Sequence, residues 1–115
     1  MARLIWTEPA LQDFDAIADY IALDKPQAAK ELVQRVFQHV EQLTRQPESG
    51  SVPRELKRSR YRQIIRPPGS REPPCRIFYR YDGKRVYVLY VMRGEMRLRK
   101  SRLVTRKGRE RPIEK

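Results

Sequence analysis

Arginines interleaved with aromatic residues are the side chains of this sequence best suited to chemistry. They lie in the stretch CRIFYRYDGKRVYVLYVMRG, residues 75–94. Guanidinium groups bind carboxylates bidentately, and neighbouring aromatic rings supply apolar contact area. This chemistry suits the binding of an acidic, amphipathic partner.

The same stretch predicts a β-hairpin, because two runs of β-branched and aromatic residues flank Asp82-Gly83, a dipeptide typical of a type I′ turn. That turn would place Arg80 opposite Arg85, a like-charge pair that costs roughly a few tenths of a kcal/mol. Alternation then predicts an apolar face of Ile77, Tyr79, Tyr81, Val86, Val88, Tyr90 and Met92. The other face is predicted to carry Arg76, Phe78, Arg80, Arg85, Tyr87, Leu89, Val91 and Arg93. An acidic, amphipathic partner suits such a mixed face.

Metal and thiol chemistry are not expected. The chain has one cysteine, Cys75, and one histidine, His39. They allow no internal disulfide and cannot supply the usual four ligands of a zinc site. We therefore predict no metal site and no cofactor.

Length and hydropathy predict one soluble domain. At 115 residues the chain is long enough for a single modest core. No apolar run approaches the roughly 20 residues that span a bilayer. The N-terminal stretch lacks the pattern of a secretory signal, so the cytoplasm is the expected location.

Charge is distributed unevenly along the chain, whose formal net charge is +12. Residues 1–52 hold five of the 26 Lys and Arg and eight of the 14 Asp and Glu, so residues 53–115 hold 21 and six. This basic half predicts an acidic protein or a nucleic acid as partner, with a solvated charged surface as the alternative.

The N-terminal half predicts a strand followed by two helices. Residues 2–6 form a strand candidate, and Thr7 is a suitable N-cap for a helix with Pro9 in its first turn. Asp24 and Pro26 predict the start of a second helix, which runs to about residue 46. Apolar residues recur at helical spacing in both segments: Ala10, Leu11, Phe14, Ile17, Ala18 and Ile21, then Ala29, Leu32, Val33, Val36, Val40 and Leu43.

The C-terminal half predicts a loop over 47–60, a strand over 61–66, a proline-rich connection over 67–74 and then the hairpin. The predicted fold is α+β, with order β-α-α-β-β-β: an N-terminal strand, an antiparallel α-hairpin and a three-stranded antiparallel sheet. Residues 1–95 form the predicted domain. Residues 96–115 form a basic extension, predicted to be partly disordered with a short helix over 95–104.

This order, and the residues that carry it, resemble the ParE/RelE superfamily of bacterial toxins, and ParE most closely. The resemblance rests on WTEPALQDFDAIADYIALDKPQAA at 6–29, on the hairpin stretch, and on Arg-Glu-Leu at 54–56 with Tyr-Arg at 61–62. It implies a cytoplasmic bacterial toxin of a type II toxin-antitoxin system. It also implies inhibition of DNA gyrase by binding, without catalysis, and neutralisation by a ParD-like antitoxin with an acidic C-terminal arm.

Two alternatives remain open. RelE-like members cleave mRNA on the ribosome, and Arg76 and Arg62 match two of their cationic positions. Ile64 stands where a further lysine is expected, however, and no tyrosine follows Gly94. A plain nucleic-acid-binding module would also explain the charge, although no helix-turn-helix or zinc-finger pattern is present.

The resemblance and the charge together assign two sets of contacts. The predicted antitoxin contacts are Arg76, Phe78, Arg80, Arg85, Tyr87, Leu89 and Arg93. The predicted gyrase contacts are Arg54, Lys57, Arg58, Arg60, Arg97, Arg99, Lys100 and Arg102, in two basic segments that the predicted core does not need. DNA in the gyrase complex is a further expected contact.

Overall fold

A computed structural model describes residues 1–56, 60–65, 75–93 and 112–114 of the chain. The elements are β1 (Arg3–Thr7), α1 (Glu8–Ala22), α2 (Pro26–Glu41) with a 3₁₀ turn (Gln42–Thr44), β2 (Tyr61–Ile65), β3 (Cys75–Tyr81), β4 (Arg85–Arg93) and β5 (Pro112–Glu114). This order confirms the predicted α+β class and the helical hairpin.

The strands form one five-stranded sheet in the order β2-β3-β4-β1-β5. β2, β3 and β4 are antiparallel neighbours, as predicted, but β1 lies parallel to β4 and makes the sheet mixed. β5, which the sequence did not predict, pairs antiparallel with β1. The helix predicted over 95–104 lies outside the described residues.

Thr7 caps α1, as the sequence predicted. Its Oγ1 accepts a hydrogen bond from the Ala10 N–H at 3.4 Å and donates one to the Val88 carbonyl at 2.7 Å, so the cap also ties the helix to β4. The prediction that Asp24 caps α2 is wrong, because Lys25 holds that position without a side-chain cap. The backbone N–H groups of Asp24 and Lys25 instead bond to the Ile21 carbonyl and finish the last turn of α1.

The main core lies between the helices and the sheet. Trp6, Phe14 and Phe37 pack together with ring centroids 4.9 to 6.1 Å apart. Full burial of a side chain such as Phe14 is worth about 1.5–3 kcal/mol. The same cluster includes Leu32, Val36 and Val40 from α2 and Ile77, Tyr79, Val86 and Val88 from the sheet. The apolar stripes of both predicted helices therefore face the sheet.

The β3–β4 turn is centred one residue later than predicted. Tyr81 pairs with Val86 and Arg80 with Tyr87, so the predicted Arg80–Arg85 pair is wrong. The cause is the Asp82 side chain, whose Oδ1 accepts hydrogen bonds from the N–H groups of Lys84 at 2.8 Å and Arg85 at 2.7 Å. These bonds lower the pKa of Asp82, because they favour the charged carboxylate.

A β-bulge reverses the predicted faces at the end of β4. Tyr79 pairs with Val88 but Phe78 pairs with Tyr90, which leaves Leu89 as the extra residue. An extra residue shifts the two-residue alternation by one. Tyr90 and Met92 therefore join the outer face, away from the helices, and Val91 joins the main core, opposite to the predictions. Arg93 likewise faces α1, with its guanidinium carbon 5.8 Å from the Tyr20 ring centroid.

Gly50 fits tightly against the sheet. Its N–H donates a hydrogen bond to the Tyr79 hydroxyl at 2.9 Å. Burial raises the pKa of this phenol above its ordinary value, so Tyr79 is protonated at neutral pH with or without the shift. A Cβ at residue 50 would lie 2.5 Å from the Tyr79 oxygen and 2.7 Å from the Gln63 carbonyl oxygen. Only a glycine allows this close approach without displacing the loop.

We expect Gly50→Ala to lower the free energy of unfolding by about 1–3 kcal/mol, the usual cost of overpacking. The loop must shift away from the Gln63 carbonyl and weaken the bond to Tyr79. Urea unfolding measures the effect, with Ser49→Ala as the control because Ser49 is the exposed neighbour. Equal stability of the two variants would contradict the close contact.

Candidate partner-binding surfaces

The outer face of the sheet has its own small core. Phe78 and Leu89 are fully buried there, so neither offers the open surface that the sequence predicted. Leu56 covers them and is itself buried, which makes residues 53–56 part of the fold. The prediction that the 54–60 loop is not needed for the core is therefore wrong.

Arg76 forms an ion pair inside this face. Its Nη1 and Nη2 each donate to a carboxylate oxygen of Glu55 at 2.8 Å, and its Nε donates to Gln63 Oε1 at 2.9 Å. The guanidinium also lies 4.9 Å from the Phe78 ring centroid. The two charged side chains are only 7% and 13% exposed. Glu55 therefore supplies the carboxylate that we expected from an antitoxin.

Arg62 also makes contacts within the chain. Its Nη1 donates to the carbonyl oxygens of Glu48 at 3.1 Å and Gly50 at 2.8 Å. Both cations that match RelE-like positions thus hold the 48–56 loop against the sheet. Arg76 is buried, whereas Arg62 is half-buried.

A basic patch lies at the end of the sheet that carries the β3–β4 turn. It comprises Arg3, Arg60, Arg80, Lys84, Arg85 and Tyr87. The Arg80 guanidinium lies over the Tyr87 ring at 4.7 Å, and Arg3 is the β1 register partner of Arg85. Arg60 precedes Tyr61, the β2 partner of Arg80. The ionised Asp82 lies in the same turn, so among the side chains that the structure describes here, cations outnumber carboxylates.

A groove of about 300 Å³ lies between α1 and the end of β4; we call it the α1–β4 groove. It is lined by Asp13, Ala16, Ile17, Tyr20, Tyr90, Val91, Met92 and Arg93. The groove arises because the pairing of β1 with β4 ends at Val88, and α1 lies beside β4 beyond that point. There Asp13 Oδ2 accepts the Val91 N–H at 3.1 Å.

Exposed apolar residues extend this groove along α1. Tyr20 is 65% exposed and Leu23 86% exposed, and Ala16 is also exposed. Positions 16, 20 and 23 share one side of a helix because their spacing follows the helical repeat. With Arg93 beside Tyr20, this surface suits an apolar segment that carries a carboxylate.

The structure separates the predicted antitoxin contacts. Arg76, Phe78 and Leu89 are engaged inside the outer face, Arg80, Arg85 and Tyr87 belong to the basic patch, and Arg93 lines the α1–β4 groove. Of the predicted gyrase contacts, Arg54 and Arg60 are exposed. Lys57, Arg58, Arg97, Arg99, Lys100 and Arg102 lie outside the described residues.

Sequence reasoning did not identify Tyr20 and Leu23 as large apolar residues exposed at the surface. The available signal was that both are large apolar residues off the apolar stripe of α1. A single exposed apolar residue is ordinary. Tyr20 lies at the rim of a groove only because α1 packs beside the edge of β4, and that packing is a feature of the tertiary structure.

The described residues contain neither a membrane-spanning helix nor a cluster of metal ligands. None of the helices there has the length and apolar character needed to cross a membrane. Within the same ranges, no three His, Cys, Asp or Glu side chains are grouped so that they would hold a metal ion.

The fold defines the chain as a small α+β protein in which an α-hairpin packs on a mixed sheet. The sequence matches the family model described as "ParE toxin of type II toxin-antitoxin system, parDE" over residues 4–98. The chain therefore belongs to the ParE toxin family.

A solved structure supports this assignment. The chain is similar to one from the "Chromosomal ParDE TA system from P. aeruginosa", with a TM-score of 0.66 and 28% sequence identity. The match covers 83% of this chain and 98% of the other. The comparison with curated proteins gave no match.

Proposed function

We propose that this toxin inhibits DNA gyrase by binding and trapping its cleaved-DNA complex, and that a ParD-like antitoxin neutralises it. The observation that carries the proposal is the ParE family match over residues 4–98. Inhibition by binding needs a surface that prefers one state of gyrase, because a ligand shifts an equilibrium only by its differential affinity.

The positions of Arg76 and Arg62 favour binding over RNA cleavage. A ribonuclease needs cations that hold the scissile phosphate as charge develops. Arg76 is instead paired with Glu55, and Arg62 is bonded to two backbone carbonyls. Freeing either cation would release the 48–56 loop from the sheet.

The α1–β4 groove is the surface that we propose for the antitoxin arm. An arm that orders on binding needs buried apolar area to offset its lost conformational entropy. The groove offers the exposed Ala16 and the half-buried Ile17, with Tyr20 at its rim, and the Arg93 guanidinium adds positive charge beside that ring. This proposal keeps Arg93 from the sequence prediction and moves the apolar contacts from the outer face to α1.

The gyrase contacts remain the basic segments that the sequence singled out. Arg54 and Arg60 are exposed on either side of the buried Leu56, so both reach solvent while the loop stays anchored. The remaining six predicted cations continue as part of this proposal. Long, exposed cations suit an electrostatic contact with gyrase or its DNA.

A gyrase titration tests the proposed function. Purified chain is titrated into supercoiling reactions, and products are treated with detergent and protease before electrophoresis. Linear DNA that accumulates with dose, and disappears when a ParD-like antitoxin is added, is the expected result. Normal supercoiling at saturating toxin would contradict the proposal. Cleavage of mRNA on translating ribosomes would support the RelE-like alternative.

A further inference from the structure

We propose that the basic patch binds backbone phosphates of duplex DNA directly. If the toxin traps gyrase, as the proposed function states, it would then contact the cleaved DNA as well as the enzyme. That part of the inference rests on the proposed function. The DNA contact itself is a property of this chain, so it can be measured without gyrase.

The composition of the patch fits phosphates. Arg3, Lys84 and Arg85 are exposed at one end of the sheet, and Arg60 is exposed beside it. Phosphate binding needs clustered cations, and the release of condensed counterions from the DNA drives it. Such binding requires no apolar pocket. The carboxylate of Asp82 stays charged, but Lys84 and Arg85 in the same turn outnumber it and leave the charge of the turn positive.

The burial of Phe78 and Leu89 decides between DNA and an acidic peptide. An antitoxin arm that folds when it binds would need the apolar surface of Phe78 and Leu89 to be accessible. Because both are covered by Leu56, the patch presents cations around one half-buried ring, that of Tyr87. The α1–β4 groove supplies the apolar area that a peptide needs, and the patch supplies the charge that DNA needs.

The backbone that carries the patch cations is held in place before any partner arrives. The Arg3 N–H donates to the Lys84 carbonyl at 3.0 Å, which fixes the turn against β1. Asp82 fixes the other side of the turn through the N–H groups of Lys84 and Arg85. The Tyr87 ring positions the Arg80 guanidinium at 4.7 Å. A backbone that is already ordered adds no ordering cost of its own when its side chains bind a partner.

The test compares two charge-matched double variants of the full chain. Lys84→Gln with Arg85→Gln removes two cations from the patch, whereas Lys25→Gln with Lys30→Gln removes two exposed cations from the helical layer. Binding to a duplex of about 20 base pairs is measured by fluorescence anisotropy across a salt series. Each phosphate contact adds about 0.9 to the slope of log affinity against log salt. The patch variant is therefore expected to lose about two units of slope, and the control none.

Three outcomes separate the possibilities. Equal slopes for the two variants would overturn the proposal and assign DNA binding to net charge. If the patch variant loses affinity for an acidic antitoxin-arm peptide but keeps the wild-type DNA slope, the patch is a peptide site and the proposal is wrong. If the slope falls as expected but no cleaved DNA is trapped with gyrase, the DNA contact stands and the proposed function fails.

Discussion

Replacing Glu55 with alanine is expected to lower the free energy of unfolding by about 3–5 kcal/mol, the usual effect of breaking a buried ion pair from one side. The variant leaves the Arg76 guanidinium, only 7% exposed, without its bidentate partner. It also loosens the neighbouring Leu56 from the small core on the outer face of the sheet. Urea unfolding followed by circular dichroism measures the change.

Two further variants show that the ion pair is responsible. Glu48→Ala removes an exposed carboxylate of the same loop and should change stability by less than about 0.5 kcal/mol. Adding Arg76→Met to Glu55→Ala should recover much of the loss, because an apolar side chain of similar length leaves no buried charge. If Glu55→Ala is no less stable than Glu48→Ala, the ion pair does not hold the loop.

Replacing Ala16 with glutamate is expected to weaken antitoxin binding roughly 100-fold, the scale of a hot-spot loss of about 3 kcal/mol. Ala16 is exposed and lines the α1–β4 groove, so a longer side chain there fills the groove without entering the core. The added carboxylate also repels an acidic arm. Glutamate forms helices well, so α1 is expected to remain intact.

The matched control for this prediction is Gln34→Glu, which adds the same charge at an exposed position of α2. Isothermal titration calorimetry with a ParD-like antitoxin compares the two variants, and thermal unfolding confirms that both fold. Similar affinities for Ala16→Glu and Gln34→Glu would remove the groove as the antitoxin site. Loss of both affinity and stability in Ala16→Glu would point instead to a structural role of Ala16.

Much of the fold could be predicted because its causes are local. The cap at Thr7, the apolar stripes of the two helices and the β-branched runs of the strands depend on neighbours within a few residues in sequence. The same holds for the residues that carry the ParE resemblance. From these alone follow the α+β class, the order of the first six elements and the family.

The arrangement of the binding surfaces depended on contacts between residues far apart in sequence. One extra residue at Leu89 turned Arg93 towards α1, and Glu55 paired with Arg76 across 21 positions of the chain. Alternation in a strand cannot reveal a bulge, and composition cannot reveal which carboxylate lies over which arginine. The sequence by itself determined that this is a basic ParE-type chain, and its charge predicted acidic partners. Only the tertiary structure decided which cations remain at the surface, because pairing and burial are settled when distant segments pack together.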